Sequence, residues 1–176
     1  MRPSPRRRTK SASGGPLRAT PPNAPTPTVH TLLAAAGVEY RLHAHRPAVS
    51  FADALEYLSF DPRFAVKALA FRLPDGGYAL VGLRGADRAD YKAIADALGI
   101  RRADLRLAEA ADVERDLGVE PGGVAPLPFA GATVLLDRRV VDLEIAYCGA
   151  GRSDMTLEIA PGDLMRLGAQ VGDFAR

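Results

Sequence analysis

Residues 66–83 read Val66-Lys67-Ala68-Leu69-Ala70-Phe71-Arg72-Leu73-Pro74-Asp75-Gly76-Gly77-Tyr78-Ala79-Leu80-Val81-Gly82-Leu83. Two apolar runs, 66–73 and 78–83, flank a Pro-Asp-Gly-Gly turn. Proline presets one turn dihedral and glycine accepts positive φ, so the segment predicts a β-hairpin. The first run is apolar on both faces, which predicts a central strand. One cation interrupts it. Lys67 would share a face with Leu69 and Phe71, while Val66 and Ala68 point the other way. A lysine placed so snorkels to water, guards a sheet edge, or meets an anion.

Outward from the hairpin, the pattern is mixed. Apolar residues recur at helical spacing over 29–36, and Gly37 stops them. Residues 38–43 alternate, with Val38, Tyr40 and Leu42 against Glu39, Arg41 and His43, which predicts a half-buried strand. Ser50 stands as N-cap to a helix over 51–58, with Asp53 in capping-box position. Helices over 90–98 and 109–117 end at Gly99 and Gly118. Strands are expected over 105–108, 133–136, 143–147 and 155–159, and Pro161 opens a last short helix. Hairpins without regular βαβ alternation predict an α+β fold: a curled, mixed, largely antiparallel sheet surrounded by helices.

The chain has 176 residues, enough for one domain with a substantial core. No apolar stretch reaches the ~20 residues of a membrane helix, so no membrane partner is expected. The start has no hydrophobic segment behind its arginines, which argues against a secretory signal, and its prolines argue against an amphipathic transit helix. Cys148 is the one cysteine, which excludes an intrachain disulfide and fits a reducing, cytoplasmic setting. With no base beside it, Cys148 reads as a small buried hydrophobe. The net charge of +2 hides an asymmetry: residues 1–28 hold six cations and no acid, so the rest is net negative. Residues 1–27 read as a disordered basic Pro/Arg/Ser-rich arm, either a tether to RNA or a dispensable extension, and residues 28–176 as a single domain.

Two glycine-rich segments follow the hairpin. In Gly122-Gly123-Val124-Ala125-Pro126 the glycines let backbone N–H groups approach a ligand, or simply make a turn. No Gly-Lys-Ser/Thr follows, so it is not a P-loop. Cys148-Gly149-Ala150-Gly151-Arg152-Ser153-Asp154 joins two expected strands, as a ligand-facing loop or a solvated turn. His43 and His45 alternate onto one strand face, but no third ligand is evident, so no metal is expected. Arg84, Arg88, Lys92 and the pair Arg101-Arg102 form either a phosphate-facing rim or a solvated face.

In order and spacing, these segments resemble the YbaK/ProX family of aminoacyl-tRNA editing domains over residues 29–174. The resemblance is carried by the helix after Ser50 with Leu58-Ser59-Phe60-Asp61-Pro62, Lys67 in its Val-Lys-x-Leu strand, and the Gly122 to Pro126 loop. Gly149-Ala150-Gly151-Arg152 and Leu157-Glu158-Ile159-Ala160-Pro161-Gly162-Asp163-Leu164 complete it. It implies a barrel-like curled sheet. It implies hydrolysis of the ester on a mischarged tRNA, often proline tRNA carrying a small amino acid such as alanine or cysteine. Lys67 would be the catalytic pocket lysine, meeting the terminal phosphate or the aminoacyl carbonyl. Gly122, Gly123 and Pro126 would hold the terminal adenosine and amino acid, and Gly149, Gly151, Ser153 and Asp154 would close the other side, with His45 also binding substrate. The aminoacyl-tRNA 3′ end is the implied partner, a synthetase a further one, and no cofactor is implied. Two departures stand out. Ala68 replaces a hydroxyl or amide residue of many relatives, and Cys148 or Gly149 falls where some place a serine. A non-catalytic module binding charged tRNA ends or a synthetase is the alternative.

The chemistry is also arguable from the residues. An aminoacyl ester is already activated. A positioned water, donors aimed at the developing oxyanion and the vicinal hydroxyl suffice to cleave it. A chain without triad, Cys–His pair or metal cluster is compatible with that reaction.

Overall fold

The structure is a computed structural model that describes residues 28–48, 51–57 and 59–176. The Ser50 cap and the arm of residues 1–27 lie outside the described residues. Helix α1 (Val29–Ala36) begins where Thr28 Oγ1 accepts from the Thr31 N–H, and ends at Gly37 in the left-handed conformation at φ 61°. Strand β1 (Tyr40–Ala44) and helix α2 (Phe51–Tyr57) follow. A 3₁₀ turn over Pro62–Phe64, capped by Asp61, then delivers the chain into the hairpin.

The hairpin stands as expected: β2 (Val66–Arg72) pairs antiparallel with β3 (Tyr78–Arg84) across the 74–77 turn. Helix α3 (Tyr91–Ala97), the two-residue strand β4 (Arg106–Leu107) and helix α4 (Ala110–Leu117) come next. The chain then forms β5 (Thr133–Asp137), α5 (Arg138–Val141), β6 (Ala146–Gly149), β7 (Met155–Ile159), α6 (Pro161–Arg166) and β8 (Gln170–Gly172).

These strands make two sheets, ordered β4-β2-β3-β5-β8 and β1-β7-β6. The β3–β5 and β5–β8 pairs are parallel, and the remaining pairs are antiparallel. Among the described residues the sheets meet at one parallel bridge, from Ala65 to Tyr147. The expected barrel-like closure is therefore corrected. Among the described residues β1 pairs with β7 alone and β8 with β5 alone, so both stay edges. The strand expected at 143–147 is also shifted. Asp137 caps α5 by accepting from the Arg139 N–H, and that helical turn defers the strand to Ala146.

β3 is the spine. Its side chains from Tyr78 to Leu83 are buried on both faces, which is why its sequence is continuously apolar. Leu80 packs on one side with Leu33, Leu117, Leu127, Leu136 and Leu157. Val81 and Leu83 pack on the other with Phe71, Ile94, Leu135 and Phe174. Asp137 is the buried carboxylate of this frame. It accepts from the N–H groups of Phe174, Ala175 and Arg139 at 2.7, 2.8 and 2.9 Å, pinning the C-terminal segment to β5.

Candidate functional site

The junction of the two sheets is a cleft. A cavity of about 330 Å³ opens there, near the lower end of ligand pockets at about 300–1,000 Å³. Its walls come from β2, the Gly122 loop, β6, β7 and the segment after β1.

Lys67 lines it. The side chain is half-buried, and Nζ donates to the Gly85 carbonyl at 3.0 Å. An ammonium has three donors, so two remain for a ligand. Among the described residues no carboxylate lies within ion-pair distance of it. A cation held against apolar walls without a protein counter-charge suits an anion or a developing oxyanion.

The two glycine loops are locked together. Gly151 N–H donates to Gly123 O at 2.8 Å, Glu120 N–H to Gly151 O at 3.0 Å, and Gly123 N–H to Glu120 O at 2.9 Å. A Cβ on Gly149 would sit 2.4 Å from Val124 O, and one on Gly123 would sit 2.5 Å from Arg152 N. Both glycines are therefore required by close backbone approach. Gly122 and Gly149 line the cavity, whereas Gly123 and Gly151 form the seam behind it. Pro126 is buried and packs on Gly82, where an added Cβ would come 2.9 Å from its own Cβ.

Ser153 and Asp154 have internal partners. Ser153 lines the cavity, but its N–H and Oγ both donate to Glu120 Oε2 at 2.9 Å. Those bonds hold the Glu120 carboxyl below its usual range. Asp154 takes a bidentate fork from Arg152 at 2.8 Å, which lowers its pKa. The two main chains also tie down the segment after β1: His45 N–H donates to Asp154 O and Ala48 N–H to Ser153 O.

His45 lines the cavity in a fixed orientation. Its Nδ1 lies 2.6 Å from the Arg46 carbonyl, an acceptor, so Nδ1 carries the proton. In the neutral ring Nε2 then accepts from the Thr156 hydroxyl at 3.0 Å. Cys148 is buried, and burial pushes its thiol up to about 12, so no thiolate forms near neutral pH.

Sequence reading missed Phe60, Tyr147 and Thr156, all on the cavity wall. Phe60 and Tyr147 stack with centroids 4.2 Å apart and planes 6° from parallel. Desolvation, then Glu158, raises the Tyr147 phenol. Alternation along Ala146-Tyr147-Cys148 was a usable signal, since it turns Tyr147 away from the buried Ala146 and Cys148. The Phe60 partnership spans too much sequence to be read locally.

Comparison with known proteins gives the family. Residues 45–167 match the model of the aminoacyl-tRNA editing domain, and the chain belongs to that family. A solved structure of a hypothetical protein, APE2540, is 28% identical, with a TM-score of 0.70 over 84% of this chain and 99% of its own. A second, described as a trans-editing enzyme for prolyl tRNA synthetase, is 22% identical, with a TM-score of 0.71 over 84% of this chain and 94% of its own. At that identity it supports the fold.

Proposed function

We propose that this chain is a trans-acting aminoacyl-tRNA deacylase. It hydrolyses the ester of a mischarged tRNA, with proline tRNA carrying alanine or cysteine as the preferred substrate. The observation that carries the reading is Lys67: an ammonium with no carboxylate partner among the described residues, on the wall of a small cavity closed by backbone-rich loops. Family membership supplies the substrate class.

In this reading Lys67 holds the terminal phosphate or the ester carbonyl. The Gly122 loop seats the terminal adenosine, and the Gly149 loop closes over the amino acid. Buried Cys148 and the Glu120-bound Ser153 are not nucleophiles, so the attacking group is water, assisted by the substrate's vicinal hydroxyl. The small cavity excludes large side chains. Residues 28–176 act as the editing domain in the cytoplasm, and the basic arm of residues 1–27 is either a tether to RNA or a dispensable extension.

The test is a deacylation panel across tRNA and amino-acid identities, with and without residues 1–27. Release of a small amino acid from mischarged proline tRNA is the expected result. Charged tRNA bound without ester loss would instead establish a non-catalytic module, the reading favoured by the internal bonding of Ser153.

A further inference from the structure

Hydrogen-bond parity decides which backbone groups of β2 its ladder uses. Gly85 N–H donates to Ala65 O at 2.8 Å, and Leu73 N–H donates to Gly77 O at 2.9 Å. Both pairs continue the register of Lys67↔Leu83 and Leu69↔Val81. Antiparallel partners alternate between hydrogen-bonded and non-bonded pairs. Odd-numbered residues of β2 therefore turn their N–H and C=O toward β3, and even-numbered residues turn theirs away. Ala70 fits this parity, since its carbonyl accepts from Ala108 N–H beside β4 at 2.8 Å.

Ala68, opposite Gly82, points the same way as Ala70. Among the described residues no strand pairs with it there. The β4 pairing reaches Phe71↔Leu107, and the chain turns into α4 at Ala110. On the other side β6 touches this edge at the Ala65–Tyr147 bridge. The Ala68 N–H and C=O thus have no strand partner among the described residues, and Ala68 lines the cavity.

We infer that the Ala68 main chain is the docking edge for the aminoacyl group. Its N–H takes the ester carbonyl oxygen, and its C=O takes the α-ammonium. The inference rests on the deacylase reading above and deepens it. An aminoacyl ester carries an amine and a carbonyl on one α-carbon, the donor and acceptor of a single strand residue. It therefore pairs as a one-residue strand addition. A backbone donor and acceptor at a cavity wall need partners, and this ligand supplies both. Because the contact is made by main chain, the aliphatic side chain at position 68 loses no polar function. The same contact is blind to the amino acid's side chain, which leaves discrimination by size to the other walls. It requires a free α-amine, so simple acyl esters bind more weakly.

The test is amide hydrogen exchange on the ¹⁵N-labelled full chain, with the alanine amide of 3′-amino-3′-deoxyadenosine as a non-hydrolysable probe. In the free protein Ala68 exchanges fast while Lys67 and Leu69 are protected. The probe protects Ala68, and the propionyl amide, lacking the amine, binds about tenfold more weakly, the scale of one hydrogen bond to a charged group. Ala68→Pro deletes the outward N–H and spares the β3 ladder, so it also weakens the probe about tenfold. Ala68→Val keeps the N–H at a bulk similar to proline, so it weakens the probe less than Ala68→Pro does. A protected Ala68 in the free protein, a bound probe that leaves Ala68 unprotected, or equal loss in the Pro and Val variants overturns the inference. If the probe does not bind and no charged tRNA is hydrolysed, the deacylase reading falls and takes the inference with it.

Discussion

The two halves of β2 have similar apolar sequence and opposite fates. Ala70, Phe71 and Arg72 are paired on both edges, with β3 on one side and β4 or Ala108 on the other. Among the described residues, Lys67, Ala68 and Leu69 are paired in a ladder on the β3 side alone, and all three line the cavity. Strand composition does not separate the halves; coverage does. β4 is two residues long because a 3₁₀ turn over Arg102–Asp104 precedes it and α4 follows. Its brevity leaves room for a site beside the one lysine of the strand. The covered region should therefore answer to mutation in stability, and the open region in turnover.

The largest expected effect blurs that division. Gly149→Ala drives a methyl into Val124 O and forces the two loops apart. Its stability should fall by about 3 kcal/mol or more, with loss of deacylation, read by denaturant melts and by single-turnover assay. Asp137→Ala tests a covered part of the same sheet, at the end of β5 and away from the cavity lining. It strands three N–H donors, two of them from the C-terminal segment. About 2–3 kcal/mol of stability should disappear while the folded fraction keeps its turnover, and a low specific activity would contradict the division. Phe60→Ala tests the open region alone. Removing the ring stacked on Tyr147 widens the cavity. Discrimination against larger amino acids should relax by about 1–2 kcal/mol in relative kcat/KM, with a smaller change in melting temperature.

The smallest effect is electrostatic. The hydrogen bond from Arg115, then that from Tyr78, depresses Asp116 from 3.8 to about 2. A depressed folded pKa gives stability that is complete above 3.8 and fades as pH falls toward 2. Asp116→Asn should remove that contribution where it is present, above 3.8, so that stability falls slightly at neutral pH, is unchanged near pH 2, and the acid limb between them flattens. The change is small because exposed pairs are weak. An unchanged acid limb would show that this carboxylate does not couple to folding.

Much of this frame was legible because local chemistry dictated it. The 74–77 turn announced the hairpin, and Gly37 and Gly118 closed helices in the left-handed conformation. Barrel-like closure was misjudged because it depends on which strands stay edges, and β8, exposed at Gln170 and Val171, carries no periodic signal. Gly122, Gly149, Ser153, His45 and Lys67 were singled out in sequence and do share one cavity. The division of labour among the glycines was hidden, because close approach of two loops is a tertiary fact. So was the capture of Ser153 by Glu120, 33 residues away. The open edge at Ala68 was hidden for a similar reason: it follows from where β4 stops.

The central claim is that the Lys67 cavity is where the ester is cleaved. Single-turnover deacylation of alanyl proline tRNA, wild type against Lys67→Ala, tests it most directly, with a thermal melt on each protein. The account predicts at least about a tenfold fall in rate at an unchanged melting temperature, the loss of one charged oxyanion or phosphate contact. Wild-type turnover by a folded Lys67→Ala protein would contradict it.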